Sequence, residues 1–217
     1  MRKRIVLIGA PATGKGTQAE LLAATFGIPS ASTGAIVRDE VARGTDIGKE
    51  VQRWTSQGKL FPDEIALKIA WHWIGRHKRF ILDGFPRTLP QAQAFDAGLA
   101  EHQIPLDRVY FLDLPDEVIT ERVLGRLTCM QCGAVYNTTF HRLTEADECP
   151  KCYGRLERRS DDTPEALAQR LVEFRALTYP VVEYYRASGI LLEVDATIGR
   201  DRIFALLHAD MKYNLIQ

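Results

Sequence analysis

From Gly9 to Thr17 the chain reads Gly-Ala-Pro-Ala-Thr-Gly-Lys-Gly-Thr, a spacing that suits a polyphosphate. Triphosphate oxygens need several donors at once. Successive backbone N–H groups in a tight loop point inward to supply them. A Cβ would crowd that approach, which explains the glycines, including Gly14 and Gly16. Lys15 then reaches the outer phosphates as a mobile point charge. The common form of such a loop has Ser or Thr directly after the lysine; here Gly16 stands there and Thr17 follows.

A second chemistry-bearing segment is Phe80-Ile81-Leu82-Asp83-Gly84-Phe85-Pro86-Arg87, an apolar run ending in a carboxylate. In a parallel sheet Asp83 lies on the same edge as the glycine loop, placed to hold Mg²⁺ through water. The alternative is a turn or helix-capping aspartate. Arginines recur where a phosphate acceptor needs them: Arg38, Arg87, Arg122, Arg126, Arg159 and Arg170. Guanidinium forks grip phosphate oxygens bidentately. No Ser-His-Asp set is suggested, and the five histidines are scattered. A kinase acting on an alcohol needs a base; one acting on a phosphate monoester, already mostly dianionic at neutral pH, needs only charge neutralisation.

The third constellation is Cys129-x-x-Cys132 and Cys149-x-x-Cys152, separated by sixteen residues. Two such turns supply four thiolates for a tetrahedral, structural Zn²⁺ with no open position. Metal binding would replace the core that a lobe of this size lacks. Iron or cobalt fits the same ligands, free thiols or disulfides are the alternative, and His141 is a surface residue or a substitute ligand.

Strands and helices must hold these groups in place. Short apolar runs at Arg4–Ile8, Ile28–Ala31, Phe80–Asp83, Val109–Asp113 and Ile190–Val194 predict buried strands. Helical patterns cover Thr17–Phe26, Ile65–Gly75, Gln91–Ala100, Asp116–Arg126, Pro164–Ala187 and Arg200–Met211, with Thr163-Pro164 as a helix start. On this reading Arg122 and Arg126 share one helix face. The alternation predicts a three-layer α/β core with a five-stranded parallel sheet. Residues 32–61 and 127–160 break it and read as insertions.

The 217 residues suit one domain with inserted lobes. Positive and negative side chains balance at 28 each, so the whole chain is no polyanion binder. No apolar run approaches the ~20 residues that span a bilayer. The basic start is followed by too short an apolar run for a secretory signal, so a cytoplasmic location is expected, and with no extra apolar surface evident a monomer is the default.

With these pieces placed, the chain resembles the adenylate kinases over nearly its whole length. Gly14-Lys15-Gly16-Thr17 is similar to that family's variant loop. Ser32-Thr33-Gly34, Arg38 and Gly58-Lys59-Leu60-Phe61-Pro62-Asp63 resemble the start and end of its AMP lobe. Asp83-Gly84-Phe85-Pro86-Arg87-Thr88 with Gln91 resembles its signature, where the arginine holds the AMP phosphate and the glutamine reads adenine. Gly125-Arg126, Val135-Tyr136, and Arg159, Asp161-Asp162 and Arg170 resemble a long zinc-bearing lid.

The resemblance implies ATP contacts at Gly14, Lys15, Gly16, Thr17, Arg126, Val135, Tyr136 and, through backbone, Ile198. It implies AMP contacts at Thr33, Arg38, Lys59, Leu60, Phe61, Gly84, Phe85, Pro86, Arg87, Gln91, Arg159 and Arg170. Residues 32–61 become the AMP-binding insertion and 125–162 the lid. Lys15, Asp83, Arg87, Arg122, Arg126, Arg159 and Arg170 become the catalytic set, with Mg²⁺ carried by ATP. The implied reaction is reversible phosphoryl transfer from MgATP to AMP, giving two ADP.

Ala12-Thr13, Ala35, Ala196 and Ile198 depart from the family's usual residues. Rival readings are a related nucleoside monophosphate kinase with another acceptor or a GTP donor, and a zinc-knuckle nucleic-acid binder. Against the last, the knuckle segment carries Glu145, Asp147, Glu148 and Glu157 among its bases.

Overall fold

A computed structural model describes residues 1–55, 62–159 and 162–214. In chain order it contains β1 (Arg4–Ile8), α1 (Lys15–Phe26), β2 (Ser30–Ser32), α2 (Thr33–Ala42), α3 (Asp46–Thr55), α4 (Asp63–Ile74), β3 (Phe80–Asp83), α5 (Leu89–Glu101) and β4 (Arg108–Asp113). Then follow α6 (Asp116–Leu124), β5 (Arg126–Cys129), β6 (Val135–Asn137), α7 (Thr138–His141), β7 (Leu156–Glu157) and α8 (Pro164–Glu173). A π-helical turn (Phe174–Thr178), α9 (Tyr179–Ala187), β8 (Leu191–Asp195) and α10 (Arg200–Tyr213) close the chain. None of the described helices is long and apolar enough to cross a membrane.

The chain forms two compact units. The first comprises Met1–Gly9, Gly14–Asp113 and Phe174–Gln217. Its sheet has the order β2-β3-β1-β4-β8, every pair parallel. Ile5, Val6, Leu7 and Ile8 of central β1 are buried on both faces, as a covered parallel sheet requires. Helix α5 shows how the covering layer is built. Thr88 caps its start, Pro90 sits in the first turn, and Gln91, Ala92, Phe95 and Leu99 form its buried stripe. Trp71 of α4 packs on Phe95, and Phe85 meets Phe95 edge-on.

The second unit comprises Leu114–Glu173 with Ala10–Thr13. Its antiparallel sheet has the order β6-β5-β7. Among the described residues, Leu127, Cys129, Cys149 and Leu156 form the buried apolar cluster of this small sheet, while Ile119, Val123, Leu167 and Leu171 are buried on the helices of the same unit. So small a cluster under the three-stranded sheet calls for an additional cross-link there.

The predicted α/β class and five parallel strands hold, with local corrections. The second strand begins at Ser30 rather than Ile28, because Pro29 has no N–H to give the ladder and contributes only its carbonyl, to Ile81 N. The predicted helix Asp116–Arg126 stops at Leu124. Gly125 caps it, and Arg126 opens a strand paired with β6, so Arg122 and Arg126 do not share a helix face. The predicted helix Pro164–Ala187 is interrupted by the π turn. Pro180, just beyond, cannot donate to the carbonyl four residues back. Its predicted start is correct: Thr163 Oγ1 accepts from Ala166 N at 3.2 Å.

Candidate active site

In the first unit, Gly9 and Asp83 stand at the carboxyl ends of neighbouring strands. Leu7 of β1 pairs with Asp83 of β3, and Gly84 N donates to Leu7 O at 3.1 Å. Gly14, at φ 96°, caps α1, and Lys15 is that helix's first residue. A loop joined to a helix N-terminus this way is an anion cradle. Burial pushes the Asp83 carboxyl above its ordinary range, while the charges of Lys15 and then Arg87 pull the other way. These effects link the three groups electrostatically. An ideal Cβ on Gly16 would stand 3.4 Å from Asp83 Oδ2. That is an ordinary van der Waals contact, so the space itself does not dictate glycine at this position. Asp83 ends a strand rather than capping a helix, and its hard oxygen donors suit Mg²⁺.

The loop after Asp83 folds over a single carbonyl. Gly84, at φ 72°, adopts the left-handed conformation that a side chain disfavours. Its oxygen accepts from Arg87 Nε at 2.9 Å and from Thr33 Oγ1 at 3.3 Å. The predicted residues Thr33, Gly84, Arg87 and Gln91 are thus brought together. Phe85 differs: its ring is 2 % exposed and belongs to the core, leaving only its backbone for a ligand. Pro86 is likewise buried. Arg38 falls in α2, and Lys59, Leu60 and Phe61 lie outside the described residues. Ile198 is half-buried in the turn between β8 and α10, where Thr197 N bonds Asp195 Oδ1 at 2.8 Å. Thr17 and Gly16 are exposed on the first turn of α1.

The second unit holds the remaining arginines and the cysteines. Within this unit Arg122 NH1 donates to Ala12 O at 3.4 Å, linking α6 to Ala10–Thr13, and its guanidinium stands 6.0 Å from the Phe140 ring centre. Ala12 takes a left-handed φ of 58°, while Thr13 is buried with Oγ1 on Ala10 O. Ala12 thus takes a backbone conformation that favours glycine, and the Thr13 side chain is turned inward onto Ala10 O. Arg126 forms a two-pronged pair with Asp162, including Nε to Oδ2 at 2.7 Å, and Arg170 NH1 stands 3.6 Å from the same carboxylate. Arg159 Nε donates to Thr128 Oγ1 at 3.1 Å. Asp162 is a functional candidate that the arginine pattern alone does not select.

All four cysteine sulfurs lie within 4.8 Å of one another. Cys129 and Cys152 are 3.5 Å apart, Cys132 and Cys149 3.7 Å. A regular tetrahedron with Zn–S of about 2.3 Å has edges of about 3.8 Å, so the set fits structural zinc. The two turns match in detail. Cys129 N bonds Ala134 O and Cys149 N bonds Gly154 O, both at 2.8 Å, with Gly133 and Tyr153 at φ 71° and 60°. Burial opposes ionisation of Cys149, yet hydrogen bonds from Tyr136 and the N–H groups of Lys151 and Cys152 bring it down to about 6, ready to ligate. Tyr136 OH lies 3.3 Å from that sulfur, and this bond pushes the phenol up to about 12, so it serves as the donor. Val135 beside it is exposed. His141 is not a ligand: its Nδ1 accepts from Asn137 N at 3.0 Å and its ring meets Tyr136 edge-on.

A central parallel strand that empties into a glycine loop, a lysine-headed helix and an acidic neighbouring strand end define a P-loop phosphotransferase. The family model described as adenylate kinase matches residues 7–190. An adenylate kinase of Syntrophomonas wolfei is 43% identical over 204 residues, covering 93% of this chain and 95% of that one. Those of Thermodesulfovibrio yellowstonii (42% over 204 residues; 93% and 95%) and Methanosarcina barkeri (40% over 211 residues; 96% and 98%) are similarly close. The chain belongs to the adenylate kinase family.

Proposed function

We propose that the chain transfers the terminal phosphoryl group of MgATP reversibly to AMP, giving two ADP. The observation that carries this is the grouping of Lys15, Asp83 and Arg87 at the carboxyl edge of adjacent parallel strands, with Gln91 in the first turn of α5 bonded to Arg87 N. One cation faces the donor phosphates, the other the acceptor phosphate, and no side chain is needed as a base, because a phosphate monoester is already an anion at neutral pH.

In this reading the loop amides of Gly14, Lys15, Gly16 and Thr17 hold the ATP phosphates. Asp83 holds the Mg²⁺ that accompanies them; the ion neutralises phosphate charge when bound. Arg122, Arg126, Arg159 and Arg170 stabilise charge on the transferring group. Val135, Tyr136 and Ile198 lie along the ATP base and ribose. Tyr136 also donates to Cys149, so that role falls to its ring. Thr33, Gly84 and Arg87 hold AMP with Arg38, Lys59, Leu60, Phe61 and the backbone of Phe85 and Pro86, while Gln91 reads its base. Residues 32–61 then act as the acceptor lobe and 125–162 as a zinc-braced lid. Shutting water out favours transfer to AMP over hydrolysis. The same reading has the chain working as a cytoplasmic monomer.

The test is a coupled assay of ADP formation from ATP with each of AMP, GMP, CMP and UMP. Strong preference for AMP is expected. Equal rates with a pyrimidine acceptor would refute the assignment.

A further inference from the structure

Gln91 is held on both sides of its amide. Nε2 donates to Asp63 Oδ1 at 2.6 Å, and Oε1 accepts from Arg87 N at 2.8 Å. The other Asp63 oxygen accepts from Thr88 Oγ1 at 2.8 Å, and Thr88 Oγ1 in turn accepts from Gln91 N at 3.2 Å. Gln91 is 5 % exposed, so water does not compete freely for these groups.

A carboxylate only accepts and a backbone N–H only donates. The two partners therefore decide which way round the amide sits. Turning it over would set Oε1 against the Asp63 carboxylate and Nε2 against the Arg87 N–H, leaving like groups face to face in a dry place. A primary amide has two N–H groups and two oxygen lone pairs. Among the described residues one of each is used, which leaves one of each for a ligand.

We propose that Asp63 is a positioning residue that sets acceptor specificity: by locking the Gln91 amide in one orientation, it selects a 6-aminopurine monophosphate over a 6-oxopurine monophosphate. The inference rests on the proposed role of Gln91 as reader of the acceptor base. Glutamine pairs with adenine because the 6-amino group donates to the amide oxygen while an adjacent ring nitrogen accepts from the amide nitrogen. With a 6-oxo group, the amide oxygen faces a second acceptor. Relief requires the amide to turn, and Asp63 with Arg87 N opposes the turn.

The experiment measures kcat and KM of the full-length protein with AMP and with IMP as acceptors. Asp63→Asn keeps the shape but has an amide that can turn together with Gln91. It is expected to lower the AMP-to-IMP ratio of kcat/KM by about tenfold or more, carried mainly by KM. Asp63→Glu keeps the acceptor and is expected to retain the ratio. A folded Asp63→Asn protein with the parent ratio overturns the inference.

Purine riboside monophosphate, which has no 6-substituent, tests the unaltered protein. It loses one bond without gaining a repulsion, so the expected order is AMP, then purine riboside monophosphate, then IMP. IMP equal to or better than the unsubstituted purine overturns the proposal without any mutation. Gln91→Ala separates the two levels. If it leaves the AMP-to-IMP ratio intact, the base-reading role of Gln91 fails. If it collapses the ratio and Asp63→Asn does not, only the orienting role of Asp63 fails.

Discussion

Replacing Asp162 by Asn tests whether the arginines of the second unit are held by one buried carboxylate. The Asp162 side chain is 1 % exposed and that of Arg126 14 %, and their contact is two-pronged. Removing one partner of a buried ion pair costs about 3–5 kcal/mol, because the other charge stays behind. Asparagine can still accept one bond from Arg126, which argues for the lower end, about 3 kcal/mol. Arg170 is a third exposed and 3.6 Å away. Its share is that of a screened pair, about 0.2–1 kcal/mol. The sum is about 3–4 kcal/mol, and a chain of this size loses about 2–4 °C of Tm per kcal/mol. Scanning calorimetry of the zinc-loaded protein should therefore show the transition lowered by about 6–16 °C. The kcat for ADP formation should fall as well, by about 10²-fold or more, since two guanidinium groups lose their orientation. A Tm within about 2 °C of the parent with an unchanged kcat would refute the reasoning and mean that the cations are held by solvent and backbone.

Lys15→Met and Arg87→Ala should each lower kcat by about 10²–10³-fold or more, from the loss of a preorganised cation, as read by coupled ADP assay. Cys132→Ser should lose bound zinc, measured by elemental analysis, and lower Tm, with activity partly kept at low temperature; unchanged stoichiometry would disprove a four-thiolate site. Glu40 is 2 % exposed and held below its ordinary 4.5 by the Thr45 hydroxyl, against burial, and then by Arg43, His72 and Arg76. Its folded pKa lies below the unfolded one, so the unfolded chain binds more protons between them. The stabilisation is complete above 4.5 and is lost as pH falls through the lower folded value. Urea titrations should show Glu40→Gln less stable at pH 6 and less sensitive to acid below 4.5. An identical acid slope in both proteins would contradict this.

The parts legible in the sequence are those whose chemistry is local. The glycine loop, the paired cysteine turns and the apolar strands each announce themselves within a few residues, and the parallel sheet follows from their alternation. Gly125 is a local signal that the helix ends at Leu124, but the strand that starts at Arg126 is fixed only by pairing with Val135–Asn137 and Leu156–Glu157. The π turn before Pro180 was masked by an otherwise continuous helical pattern, although the proline itself was a signal. The pairings of Asp63 with Thr88 and Gln91, and of Asp162 with Arg126, are not legible in the sequence, since these partners lie 25 to 36 residues away. One clue was available: Thr88 with Gln91 three residues later has the spacing of a capping box. Here the glutamine reaches back to Arg87 N instead of to the cap residue.

The central claim is that this cationic, strand-edge site joins two nucleotides end to end. Its most direct test is nucleotide analysis of purified protein incubated with MgATP, with and without AMP. Two ADP should appear for each ATP consumed, and none when AMP is omitted. ADP released one for one with inorganic phosphate in the absence of AMP would contradict the account, as would no ADP in its presence.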